Sequence, residues 1–271
     1  PARLAEIVRK RISSGEPEEG DVELLAACVG EKVPGWDMKP SEMAELLERG
    51  IRVHSRVPEF HERLGDAYFM AEKPDSAVAA YRQSILLERE VGLPKRSPFQ
   101  FAFNVSSGPK EKTSGFGVGQ PAIYKLAFAL QKQSKAPEAA REVDRYVSDN
   151  PHRGAWKSAA EAYELLELDE PLMKLLKRML RAPRARKQIY TGEDDSVSHA
   201  VQLGRLYLKY RRHEEAYVWS ERVLELAKGK ETPEASKSVK EFREDVLKVF
   251  GDEQAIAAYA AGSFAEPTDE T

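Results

Sequence analysis

The stretch HERLGDAYFMAEKPDSAVAAYRQSILLERE, residues His61–Glu90, decides the fold of this chain. It falls into two helical segments that are separated by a Pro-Asp break. Gly65 in the first segment and Ala77 in the second are small enough to let two antiparallel helices approach closely. We therefore expect Gly65 and Ala77 to face each other, with the rings of Tyr68 and Tyr81 filling the space beside them.

This pattern resembles the tetratricopeptide repeat (TPR), W-x2-L-G-x2-Y…A-x3-F…P. Three degenerate copies follow, and they begin at IYKLAFAL (residue 123), WKSAAEAY (residue 156) and LGRLYLKY (residue 203). Trp156 comes 33 residues after Ile123 (156 − 123), close to the usual period of about 34. The resemblance implies an all-α fold, a right-handed solenoid of TPR-like helical hairpins.

One segment does not fit a helical repeat. Phe99, Phe101 and Phe103 alternate with other residues, which is the period of a strand. The step from Leu64 to Leu126 exceeds one repeat by about 28 residues, so the extra chain falls at this segment. The sequence predicts one inserted β-hairpin, whose phenylalanines either pack on the repeats or face a partner.

The repeats and their spacing divide the chain into seven predicted segments. They are a capping helix with a divergent helix pair (1–58), a TPR-like repeat (59–92), the hairpin insertion (93–120), two TPR-like repeats (121–184), a connecting loop (185–196), a TPR-like repeat (197–230), and C-terminal capping helices with a tail (231–271).

The composition argues against several classes of function. Lys and Arg number 42 against 45 Asp and Glu, a net charge of −3, which gives no overall attraction for nucleic acid or an anionic membrane. Cys28, the single cysteine, lies in an apolar run and is predicted to be a buried small hydrophobe. No apolar run is long enough to span a bilayer. A cytoplasmic location is favoured, with an exported form that has lost a signal peptide as the alternative.

The chain carries no catalytic motif that we recognise. The five histidines are scattered, and no H-x-x-x-H pair or nucleophile elbow occurs. The Gly-rich stretch SSGPKEKT has Ser106 and Glu111 where a phosphate-binding loop requires glycine. We therefore expect no enzyme activity, no cofactor and no metal site.

The class of function that remains is binding, and the resemblance to TPR proteins indicates which surface would bind. In TPR arrays the first helix of each pair lines the concave face, so a groove for an extended peptide or a helix of a protein partner is expected there. The alternative is a nucleic-acid-binding repeat protein that uses the basic segment 174–187. The predicted partner-binding residues on the concave face and the hairpin are Glu62, Asp66, Phe69, Met70, Phe101, Phe103, Tyr124, Phe128, Gln131, Lys132, Lys157, Glu161, Arg205 and Lys209.

Overall fold

A computed structural model describes residues 2–14, 18–28, 38–91, 120–181, 196–228 and 233–250. These residues are helical apart from short turns, and no strand occurs among them. The helices are α1 (Ala2–Ser13), α2 (Glu19–Cys28), α3 (Pro40–Val53), α4 (Pro58–Met70), α5 (Pro74–Val91), α6 (Ala122–Lys132), α7 (Ala136–Asp149), α8 (Arg153–Leu165), α9 (Asp169–Arg181), α10 (Ser196–Lys209), α11 (His213–Ala227) and α12 (Pro233–Phe250).

One turn geometry recurs four times and defines the repeat. Each turn contains one residue in the left-handed region: Glu72, Ser134, Glu167 and Arg211 have φ values of 57°, 59°, 56° and 55°. In each turn the next residue donates its N–H to the carbonyl five residues earlier at 2.9 Å, the bond that closes a Schellman motif. The turns join α4 to α5, α6 to α7, α8 to α9 and α10 to α11. The prediction of repeated TPR-like helical hairpins is confirmed.

Prolines account for several helix starts. Pro40, Pro58, Pro74 and Pro233 are the first residues of their helices. A proline is accepted at this position because its fixed φ suits a helix and the missing N–H would have no partner within the helix. The helix starts thus follow directly from the sequence.

Two compact units make up the chain, Pro1–Leu168 (unit 1) and Asp169–Thr271 (unit 2). In unit 1, a continuous apolar core joins α1 to α5 through fully buried side chains such as Ile12, Leu47 and Phe60. In unit 2, Val201, Val223 and Phe242 belong to a core that is shared by α10, α11 and α12. The finer segment boundaries given above stay a prediction.

The close approach of α4 and α5 occurs at Gly65, where the ring of Tyr81 fills the adjacent space as expected. A Cβ added at Gly65 would lie 2.6 Å from Cδ1 of Tyr81, and the three nearest atoms all belong to this ring. Ala77 is buried without being the nearest group, and Tyr68 donates its hydroxyl hydrogen to Glu48 of α3. The small residue makes room for the aromatic ring of Tyr81, and the expected facing of Gly65 and Ala77 stays a prediction.

Some predictions fall outside the described residues. They concern the β-hairpin with Phe101 and Phe103, residues 251–271 of the predicted C-terminal capping helices and tail, and the side chain of Cys28.

Candidate protein-interaction face

The first helices of successive pairs in unit 1 are α2, α4, α6 and α8, and we call the surface that they present the first-helix face. Its centre is an aromatic patch that joins α4 to α6. The rings of Phe69 and Phe128 are tilted against each other with centroids 5.6 Å apart. Lys132 places its Nζ 5.3 Å from the centroid of Phe128, and Met70 is 36% exposed. Three predicted site residues, Phe69, Phe128 and Lys132, therefore lie together, and Met70 follows Phe69 in the chain.

Further predicted residues connect α6 to α8. The side-chain amide of Gln131 donates a hydrogen bond to the carbonyl oxygen of Leu165 at 3.2 Å. The pKa of Tyr124 is raised by burial and, secondarily, by the negative charges of Glu161 and Glu164, which places these carboxylates near the phenol. Lys157 is exposed on α8. The first-helix face thus continues from α4 across α6 to α8.

A buried ionic network lies beneath this surface. The side chain of Lys125 is fully buried, and its ammonium group contacts Glu62 at 2.5 Å and Asp66 at 2.7 Å. Asp66 also accepts hydrogen bonds from Arg63 at 3.2 Å and from the Tyr81 hydroxyl at 2.9 Å. These contacts join α4, α5 and α6. Removal of one partner from such a network is costly because it leaves a buried charge uncompensated.

The network changes the role of two predicted contact residues. Asp66 is only 3% exposed, so the structure removes it from the candidate surface. Burial raises the pKa of Asp66, and the positive charges of Lys125 and Arg63 oppose that shift. Glu62 is partly buried and is directed to Lys125. Both carboxylates hold α4 and α6 together in this structure.

Sequence reasoning missed Lys125 because its partners lie about sixty positions earlier in the chain. The local signal was a lysine within the apolar run IYKLAFAL, between Ile123 and Leu126, which are both buried. A charged residue at a core position requires buried counter-charges. That reasoning predicts burial at Lys125 but does not identify Glu62 and Asp66.

A group of carboxylates at the other end of α4 was also missed. Burial and, secondarily, the charge of Glu19 raise the pKa of Glu23 in α2. Burial is likewise the largest cause of the raised pKa of Glu59 in α4; Arg63 opposes it, and Glu62 and Glu23 add to it. The charges of Glu19 and Glu23 in α2 and of Glu59 in α4 therefore act on one another.

The remaining predicted residues belong to unit 2. Arg205 forms an ion pair with Glu241 at 3.6 Å, and Lys209 pairs with Asp169. In the basic segment 174–187, Lys174 pairs with Glu170 at 2.9 Å and Lys177 lies 5.7 Å from the centroid of the Tyr207 ring. Residues 182–187 of this segment lie outside the described ranges.

The described part of the chain offers neither a metal-ligand cluster nor a membrane-spanning helix. No group of three or more His, Cys, Asp or Glu side chains within it is arranged to hold a metal ion. None of the described helices has the length and apolar character that crossing a bilayer requires.

The comparisons with known proteins give similarities to solved structures only. No family model and no curated protein matches the sequence. A kinesin-light-chain-type protein of Podosopora anserina with nearly identical TPR-like repeats is 17% identical over 85% of this chain and 96% of its own, with a TM-score of 0.40. A point variant of that protein is 16% identical over 83% and 93%, with a TM-score of 0.39. The structure of Naa15/Naa10 bound to HypK-THB is 14% identical over 96% of this chain and 42% of that chain, with a TM-score of 0.30.

Proposed function

We propose that this protein is a non-catalytic protein-interaction scaffold or adaptor that binds an extended peptide or a helix of a partner on its first-helix face. The aromatic patch is the observation that supports this binding site. Phe69 and Phe128 come from two successive repeats, and the partly exposed Met70 lies next to Phe69 in the chain. Aromatic and methionine side chains are enriched at the centres of protein interfaces, where a partner's apolar groups displace water.

The binding site would extend along α6 and α8. Tyr124, Gln131 and Lys132 supply polar groups beside the aromatic rings, and Lys157 and Glu161 supply charges on the next first helix. Such a rim fixes the register of a bound segment, while the aromatic centre supplies most of the affinity. No observation on the described residues favours the nucleic-acid alternative.

The test is capture of partners by the purified chain and by two matched variants. The double variant Phe69→Ala/Phe128→Ala removes the aromatic pair, whereas Leu86→Ala removes a side chain of α5 that is 46% exposed. We expect partners identified by mass spectrometry to be lost from the double variant and retained by Leu86→Ala, with helical content unchanged in both. Equal capture by all three proteins would refute the proposed site.

The predicted hairpin is a second candidate element of the same site. Replacement of residues 98–119 by a short Gly/Ser linker separates its two possible roles. Loss of partner binding with an unchanged unfolding temperature would make Phe101 and Phe103 contact residues. Loss of folding would instead make the phenylalanine row part of the core, because buried phenylalanines contribute about 2–3 kcal/mol each. Unchanged stability and binding would contradict both roles.

A further inference from the structure

The buried ionic network and the aromatic patch lie side by side on the same two helices. On α4, Asp66 precedes Phe69 by three residues, and on α6, Lys125 precedes Phe128 by three residues. Side chains three residues apart are neighbours on one side of a helix. The 2.7 Å contact between Lys125 and Asp66 is therefore about one helical turn from the ring contact between Phe69 and Phe128. The distance between α4 and α6 at the ion pair also sets the distance between the rings.

Close backbone packing does not set this distance. The Cα atoms of α6 and α8 repeatedly come within 8 Å of each other, whereas those of α4 and α6 scarcely do. The long side chain of Lys125 spans the wider separation and contacts Glu62 and Asp66 on α4. Side chains, and Lys125 among them, therefore determine how α4 and α6 are placed against each other.

The ion pairs of Lys125 favour one relative position of the two helices. The side chain of Lys125 is fully buried and that of Asp66 is 4% exposed. A shift of α6 along α4 would leave both charges buried without a partner, which is strongly unfavourable. Apolar contacts are non-directional and would tolerate such a shift. The network thus specifies the arrangement, while its net contribution to stability is small because the cost of desolvating the charges offsets their attraction.

We propose that Lys125 is a positioning residue of the interaction site, whose ion pairs with Glu62 and Asp66 hold the rings of Phe69 and Phe128 in the arrangement that a partner binds. This inference rests on the proposed function and specifies what preorganises its site. A site that is arranged before binding loses less conformational entropy on association. The network therefore raises the affinity for a partner without a contact of its own.

The decisive variant removes all four charges of the network together. Glu62→Gln/Arg63→Met/Asp66→Asn/Lys125→Met, the neutral variant, leaves the net charge unchanged and keeps an acceptor for the Tyr81 hydroxyl at position 66. We expect its unfolding temperature to stay within about 5 °C of the wild type, because neutral replacement of a whole buried ion cluster costs little. Lys125→Met alone leaves Glu62 and Asp66 without their shared cation and should lower the unfolding temperature by about 10 °C.

The ring arrangement is measured without any partner. A nuclear Overhauser cross-peak between the ring protons of Phe69 and Phe128 reports their contact in the free chain, and its absence in Phe128→Leu assigns it. We expect this cross-peak in the wild type and its loss in the folded neutral variant. Partners that the wild type captures should be lost from the neutral variant as well. A network that only stabilised the fold would leave both measurements unchanged in a variant with the stability of the wild type.

A matched control removes two cations and two carboxylates from the second helices α5 and α7. Arg82 contacts Glu138 at 2.6 Å and Arg89 contacts Asp149 at 3.0 Å, and each of these side chains is at least 33% exposed. Exposed ion pairs contribute little to stability. The variant Arg82→Met/Glu138→Gln/Arg89→Met/Asp149→Asn should therefore retain the unfolding temperature, the cross-peak and the captured partners.

If the neutral variant does not fold, Glu62→Gln makes the same test. The side chain of Glu62 is 16% exposed, and its exchange removes one of the two carboxylates that contact Lys125 while the Asp66 contact stays. We expect a weaker cross-peak and weaker capture of partners. An unchanged cross-peak in this variant would overturn the inference.

The outcomes separate this inference from the proposed function. An undiminished cross-peak in the folded neutral variant would overturn the positioning role of Lys125 and leave the interaction face intact. Partners retained by a neutral variant that has lost the cross-peak would overturn it too, because binding would then not require this ring arrangement. Capture of the same partners by Phe69→Ala/Phe128→Ala would overturn the proposed function, whatever the cross-peak shows.

Discussion

Gly65 determines how closely α4 and α5 approach, because the ring of Tyr81 occupies the space where a side chain would be. Gly65→Leu would force Tyr81 from its fully buried position, and overpacking of this kind costs about 1–3 kcal/mol or more. The measurement is the free energy of unfolding in urea. Gly20→Ala is the control, since no atom lies within 4 Å of a Cβ added there, and this exchange in α2 should be neutral or stabilising. Equal destabilisation by both variants would contradict the role of Tyr81.

Glu88 makes the stability of unit 1 depend on pH. Burial and, secondarily, the charge of Glu62 raise the pKa of this carboxyl in α5 from 4.5 to about 7. The folded chain therefore holds this proton more tightly than the unfolded chain does. The contribution of protonated Glu88 to the free energy of unfolding is complete below pH 4.5 and is lost as the pH rises to about 7. We expect Glu88→Gln to raise the free energy of unfolding at pH 8 by about 1–3 kcal/mol and to change it little at pH 4.

The control for this pH dependence is Glu90→Gln, which changes an exposed carboxylate on the same helix. It should leave the stability unchanged at both pH values. An effect of Glu88→Gln that is equal at pH 4 and pH 8 would show that lost packing, and not ionisation, is responsible.

At the scale of elements, the recurring turn carries a conformational cost. Ser134 adopts φ 59° between α6 and α7, and left-handed backbone costs a residue with a Cβ about 1–2 kcal/mol. Glycine avoids that cost, so we expect Ser134→Gly to stabilise the chain by about 1 kcal/mol in thermal or urea unfolding. Ala79→Gly at an exposed position within α5 should instead destabilise by about 1 kcal/mol. Destabilisation by both exchanges would mean that Ser134 has a role beyond its backbone geometry.

These turns also show what the sequence could and could not predict. The repeat spacing located the helical pairs, because small and aromatic residues recur where helices must approach closely. The left-handed residues are Glu72, Ser134, Glu167 and Arg211, none of which is the glycine or asparagine that would signal such a turn. The aromatic patch followed from the face assignment, whereas the counter-charges of Lys125 depend on contacts between distant parts of the chain.

At the scale of the whole molecule, the aromatic patch belongs to unit 1, whereas Arg205 and Lys209 belong to unit 2. Arg205 pairs with Glu241 and Lys209 with Asp169, so both cations have partners within their own unit. We therefore expect the fragment 1–168 to fold and to capture the same partners as the full-length chain. Circular dichroism establishes the fold, and mass spectrometry identifies the captured partners.

The full-length variant Arg205→Ala/Lys209→Ala makes the same test without truncation. Because the two side chains lie outside unit 1, their removal should not change the set of captured partners, although loss of the Lys209–Asp169 pair lowers the stability of unit 2. Loss of the partners from the folded double variant, or from a folded fragment, would mean that residues of unit 2 contribute to binding and would contradict a site confined to the first-helix face of unit 1.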